Sequence, residues 1–166
     1  MTNERLLKVI QEAKRSKRTM LDLSKKKLKE IPSELGELKN LRQLNLSGNE
    51  IDSLPESFRN LNKLKKLALD YSNFSSFPTS ICRLEKLEEL YLRGNIITEV
   101  PSDIENLISL KGLDLRGNKL THLPKELGKL HNLNLLYVEA NPLEEPLVEI
   151  IYDGTKAILD FLRSDH

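Results

Sequence analysis

The chain has 166 residues, with 39% hydrophobic and 31% charged side chains, no tryptophan and few aromatics. That is one domain's worth, able to bury a core of mainly Leu and Ile without disulfides or a metal. Its 26 Lys and Arg against 25 Asp and Glu give a net charge of +1, which supplies no general attraction to nucleic acid or an anionic membrane.

The N-terminus, MTNERLLKVIQEAKRSKRT, has no apolar run ending in small residues and so does not read as a secretory signal, and no segment is long and apolar enough to span a bilayer. The expected setting is cytoplasmic and reducing. The single Cys82 cannot close an internal disulfide, and the sequons at Asn45 and Asn73 read as chance matches. Residues 3 to 17 predict a helix with Asn3 as its cap and Leu6, Val9, Ile10 and Ala13 on one face. Residues 1 to 17 are thus expected to form an N-terminal helical cap.

From residue 18 to residue 143 the chain repeats itself six times at a period of about twenty-three residues. The copies beginning at Leu41, Leu64, Leu87, Leu110 and Leu133 follow LxxLxLxxNxLxxLPxxLxxLxx, and a degenerate first copy begins at Arg18. Within a copy, LxL is a short strand whose two leucines point the same way. One such strand buries almost nothing. Stacked parallel and in register, the copies place Leu44, Leu67, Leu90 and Leu113 in one interior column, and Leu46, Leu69, Leu92 and Leu115 in another. Pro32, Pro55, Pro78, Pro101 and Pro124 open the second half of each copy, where apolar positions such as Leu127 and Leu130 are spaced for one or two helical turns.

This pattern resembles the leucine-rich repeat family, in the subclass with an LPxxLxxL second half. The resemblance implies an α/β fold: a curved solenoid with a parallel sheet on its concave face, helical turns on its convex face and helical caps at both ends.

The template Asn recurs at Asn49, Asn95, Asn118 and Asn141, where its amide can satisfy backbone carbonyls left open as the chain leaves the strand. The third copy, LALDYSNF, breaks the rule with Ser72, a shorter side chain with one donor, and carries Tyr71 where three other copies carry Gly48, Gly94 and Gly117. The ladder is expected to be weaker there.

After Leu143 the chain leaves the template. Pro146 can open a short helix, Gly154 ends it, and Ile158, Phe161 and Leu162 mark the apolar stripe of a second. Residues 144 to 166 are expected to form a C-terminal cap or junction. Asn-Pro-Leu, a nearby Pro, a Gly and then AILDFL resemble the junction at which the repeats of Roco proteins pass into a Ras-like GTPase domain.

No phosphate loop, G-x-S-x-G or H-E-x-x-H occurs, no Cys/His set has zinc spacing, and His122, His131 and His166 read as solvated side chains. No enzyme activity, cofactor or metal is expected. The open face of the sheet remains. Its middle column runs Asp22, Asn45, Ala68, Tyr91, Asp114, Tyr137; the column before it runs Met20, Gln43, Lys66, Glu89, Gly112, Leu135, and the one after it Ser24, Ser47, Asp70, Arg93, Arg116, Glu139. Tyr and Arg carry much of the binding energy at interfaces, so the expected contact patch is Lys66, Tyr71, Tyr91, Arg93, Asp114, Arg116, Leu135 and Tyr137. Asp70 with Arg93, and Arg116 with Glu139, could instead be exposed cross-strand ion pairs of little value. The function expected is that of a non-catalytic module binding another protein through its concave sheet in signalling or scaffolding. The alternative is a regulatory repeat segment acting in cis within a larger Roco-type GTPase. A small GTPase, or a GTPase domain of the same chain, is therefore among the partners considered.

Overall fold

The computed structural model describes residues 1–164; Asp165 and the terminal His166 lie outside the described residues. Six three-residue strands form a single parallel sheet in chain order: β1 Met20–Asp22, β2 Gln43–Asn45, β3 Lys66–Ala68, β4 Glu89–Tyr91, β5 Gly112–Asp114 and β6 Leu135–Tyr137. The register advances by one repeat at each step, so Leu21, Leu44, Leu67, Leu90, Leu113 and Leu136 lie side by side. The ladder continues past the strands. Leu46 N donates to Ala68 O and Gly48 N to Asp70 O, both at 2.8 Å, so the second leucine of LxL is carried by the same pairing. Both leucine columns are buried, and Phe58 and Phe74 fill the interior beside them.

The outer side is built from five 3₁₀ turns, Ser33–Glu37, Glu56–Asn60, Thr79–Arg83, Ser102–Asn106 and Lys125–Lys129, each preceded by one of the template prolines in extended conformation. Proline sets that extended entry and lacks only an N–H that a turn would leave unpaired. One face of the parallel sheet is covered by these turns, while the other is left open, which is unusual for a parallel sheet.

The asparagine ladder does more than the sequence indicated. Asn118 Nδ2 donates to Leu115 O of its own repeat and to Leu92 O of the preceding one, both at 2.9 Å, and its Oδ1 accepts from Ile97 N at 3.0 Å. Asn49, Asn95 and Asn141 repeat this pattern, so each amide ties its repeat to the one before. Ser72 is buried and its hydroxyl has no hydrogen-bond partner. Leu46 O and Leu69 O each keep one amide donor, from Asn49 and Asn95, where Leu92 O and Leu115 O receive two.

Helix α1 spans Asn3–Arg15, and Thr2 caps it by accepting from Arg5 N at 3.3 Å. Asn3, expected as the cap, is instead the first helical residue. The helix stops short of Lys17, which takes a left-handed φ of 52°. Leu6, Ile10 and Ala13 are buried and Val9 partly so. At the other end, α2 Leu147–Ile150 follows Pro146, a short 3₁₀ turn reaches Asp153, and α3 Thr155–Arg163 follows Gly154. In α3 Ile158, Leu159 and Leu162 are buried. Phe161, expected on that stripe, is only partly buried, because Leu159 takes the inward position. Arg163 Nε donates to Gly128 O at 2.7 Å, holding α3 to the last outer turn. The Thr155 hydroxyl lies 2.9 Å from Leu136 N and 3.3 Å from Leu136 O, serving groups that would otherwise face the sheet's free edge.

Candidate functional site

The register brings Tyr91, Asp114 and Tyr137 next to one another along the middle column of the open face. Gly112 leaves the floor beside them low, since a Cβ there would meet only Leu135 Cβ, at 4.0 Å. Each of the three tyrosines in this area has a cation over its ring. Lys66 Nζ is 5.0 Å from the centroid of Tyr91, the Arg93 guanidinium 5.8 Å from that of Tyr71, and the Arg116 guanidinium 4.7 Å from that of Tyr137. Such pairs hold rings and cations in place at about 0.5–1 kcal/mol each when exposed. The eight residues singled out by sequence therefore fall in one area over β3 to β6, with Leu135 half exposed.

Asp114 departs from the expectation of a contact residue. Its side chain is 5% exposed and lies beneath Arg116, which donates from Nε to Oδ1 at 3.0 Å and from its backbone N to the same oxygen at 3.0 Å. Residues two apart on a strand share a face, so Arg116 folds back along its own strand instead of crossing to Glu139. The Asp70 pairing differs as well, because Asp70 Oδ1 accepts the backbone N–H of Arg93 at 2.8 Å. That leaves the Arg93 guanidinium with no ion pair among the described residues. The cross-strand ion pair is Lys66 to Glu89, at 2.9 Å, in neighbouring register positions. Tyr91 Oη also donates to Glu89, at 2.6 Å, and the Tyr91 hydroxyl and Lys66 ammonium together hold the Glu89 carboxyl below its usual range. Asp70 is shifted the other way, raised chiefly by burial.

Tyr71 has φ of 52°, the left-handed conformation this template position takes in all six copies, at Gly48, Gly94 and Gly117 and also at Lys25 and Ala140. A side chain costs about 1–2 kcal/mol there, yet the ring is 58% exposed and so recovers little by burial.

One feature of the open face had no motif to announce it. Over β1 to β3 a trough of about 400 Å³ opens, floored by Leu21 and Leu44 and lined by Met20, Gln43, Asn45 and Ala68. It exists because the middle column carries small side chains there, so the only signal in the sequence is what is missing.

Elsewhere, Cys82 is buried and burial pushes its thiol up to about 12, which leaves no thiolate for nucleophilic chemistry near neutral pH. Among the described residues no group of three His, Cys, Asp or Glu side chains could hold a metal ion, and no helix is long and apolar enough to cross a membrane.

The family model for a leucine-rich repeat region matches residues 18–94, and a second leucine-rich repeat model matches residues 85–143. A leucine-rich repeat protein of Leptospira interrogans is similar in structure, with a TM-score of 0.73 at 42% identity over 74% of this chain and 31% of its own. An internalin from Listeria monocytogenes shares the fold, with a TM-score of 0.61 at 24% identity over 70% of this chain and 34% of its own. This chain thus spans about a third of the length of each. No curated protein matches it. The phased repeat, the six-stranded parallel sheet, the asparagine ladder and both matches agree, and residues 18–143 of this chain belong to the leucine-rich repeat family.

Proposed function

We propose that this chain is a non-catalytic protein-binding module whose partner docks on the open sheet over β3 to β6, with Tyr71, Tyr91, Arg93, Arg116, Leu135 and Tyr137 as the contact surface and Lys66 at its edge. The observation that carries the reading is the set of three cation-on-ring pairs, which presents tyrosines and arginines already ordered. Side chains held before binding lose less entropy on binding, and these residue types dominate interface energetics. Family membership supports the wider statement, since leucine-rich repeats serve as scaffolds for protein–protein contact. Asp114 acts from beneath, by positioning Arg116.

The test is affinity capture from source cells with the wild-type chain and with a folded Arg93→Ala/Tyr137→Ala variant, followed by binding with the purified candidate. A partner bound by the wild type and weakened at least about tenfold by the double variant supports the patch. A partner bound equally by both moves the site elsewhere.

A second reading, regulation in cis within a Roco-type GTPase, draws support from the resemblance of residues 141–163 to that junction. Less favours it in the geometry. The apolar stripe of α3 is spent on the solenoid, and Tyr152 is the large apolar side chain that stands fully out from this end. An immunoblot of source cells separates the readings: a band near 19.1 kDa leaves no room for a GTPase domain, and a much larger band directs attention to the rest of the polypeptide.

A further inference from the structure

The near-zero net charge conceals a polarity along the solenoid. Residues 1–70 carry 16 Lys and Arg against 10 Asp and Glu, or +6, while residues 71–166 carry 10 against 15, or −5. The trough over Leu21 and Leu44 lies at the positive end. Met20 stands on its lip, 60% exposed, and an unbranched thioether there suits an apolar side chain of varied shape. Asp22 also borders a second hollow of about 440 Å³ between the first repeat and α1, lined by Met1, Val9 and Lys25, Lys26 and Lys27.

The cations of the open face and its margins differ in their pairing. Lys65, Lys66 and Lys111 are each bound to Glu88 or Glu89. Arg42, next to Gln43 at the strand-entry rim, and Lys25, Lys26 and Lys27 at the exit rim are exposed and make no ion pair among the described residues. Asp22 is the one acid in the groove, and its Oδ1 is engaged by Ser24 N at 2.9 Å. The surface is therefore a trough between Met20, Gln43 and Ala68, floored by the backbone at Leu21 and Leu44, with unpaired cations on residues that neighbour its lining in sequence, and of a volume suited to a few side chains.

We infer that this groove binds an extended acidic segment of a partner protein, which seats an aliphatic side chain in the trough over Leu21 and Leu44 and sets carboxylates against Arg42 and the three lysines. The surface is distinct from the tyrosine–arginine patch; Lys66 alone belongs to both. Free rim cations speed encounter with an acidic chain, while the trough supplies selectivity that charge alone does not.

The probe is a fluorescein-labelled twelve-residue peptide of Asp and Glu with one central Leu, compared with the same peptide carrying a central Gly and with heparin. Binding is followed by anisotropy and by amide chemical shifts of the full chain. Expected are shifts centred on Gln43, Asn45 and Ala68 and about tenfold weaker binding of the Gly peptide, as for losing most of one buried aliphatic group. Ala68→Tyr, which places in the trough the side chain its column carries at Tyr91 and Tyr137, should abolish the preference for Leu. Lys26→Glu should weaken binding about threefold and flatten its salt dependence, and Asp22→Asn should tighten it about threefold. These two variants test the groove even if Ala68→Tyr disturbs the fold. Equal binding of the Leu and Gly peptides, heparin reproducing the same shifts, shifts centred on Tyr91 and Tyr137, or no binding would each overturn the assignment. None of these results bears on the variants that test the patch over β3 to β6.

Discussion

The ring of Tyr71 lies directly on Gly94. A Cβ added to Gly94 would stand 2.5 Å from Tyr71 Cδ1 and 2.7 Å from Cε1, and Gly94 itself has φ of +67°. One repeat later, Gly117 has a similar φ but only backbone atoms of Gly94 nearby, at 3.7 Å. Gly117→Ala should therefore cost about 1–2 kcal/mol for the left-handed backbone alone, and Gly94→Ala about 1–3 kcal/mol more for overpacking. Urea denaturation of both variants measures the difference, and in a Tyr71→Gly background the excess at Gly94 should vanish.

Ser72 leaves a buried hydroxyl without a partner at a position where four other repeats carry a fully bonded amide. Ser72→Asn restores two donors and the acceptor for Ile51 N, and should stabilise the chain by about 1 kcal/mol or more. A variant that melts at or below the wild-type temperature would show that the third repeat is shaped around the serine.

Arg93 and Arg116 look alike in sequence and should behave differently. Arg116→Ala strands the Asp114 carboxylate, which is 5% exposed, and should cost about 1–3 kcal/mol of stability. Arg93→Ala removes an exposed guanidinium without an ion pair and should change stability by less than about 0.5 kcal/mol. Arg93 is thus the cleaner probe of binding. Chemical denaturation ranks the two, and equal losses would sink this account of Asp114.

Asp70 gives a pH signature. Its folded pKa is raised above 3.8, first by burial, so its contribution to stability is greatest below that value and is lost as pH rises through the folded pKa. Asp70→Asn keeps an acceptor for Arg93 N and removes the buried charge. The variant should match the wild type at low pH and become the more stable of the two toward neutrality. Glu88, held at about 2 by Lys111 and Lys65, works in the opposite direction in both proteins and cancels from the comparison.

What the sequence made legible follows from the rigidity of its period. With a repeat of fixed length and no insertion, the register and the columns of the open face follow from the sequence alone, and Tyr91, Asp114 and Tyr137 fall where counting puts them. Counting cannot say where a flexible side chain goes. Arg116 chose the carboxylate two residues before it on its own strand, so Asp114 went under and Arg93 was left free. The end of α1 fell to Thr2 over Asn3 because two good capping residues stand side by side. The trough at Ala68 has no motif in the sequence because motifs are made of side chains, and a trough is made of their scarcity.

The asparagine ladder also gives the solenoid a direction in time. Every amide reaches back to the carbonyl and N–H of the repeat that precedes it, never forward. On the ribosome each repeat therefore emerges with polar groups that its successor satisfies, and Thr155, at the start of α3, meets Leu136 where no further repeat follows in the sheet. Synthesis and assembly run the same way, so a nascent chain would be at its least protected in the interval between Ile51 and Asn95, where the serine offers nothing and the next amide has yet to arrive.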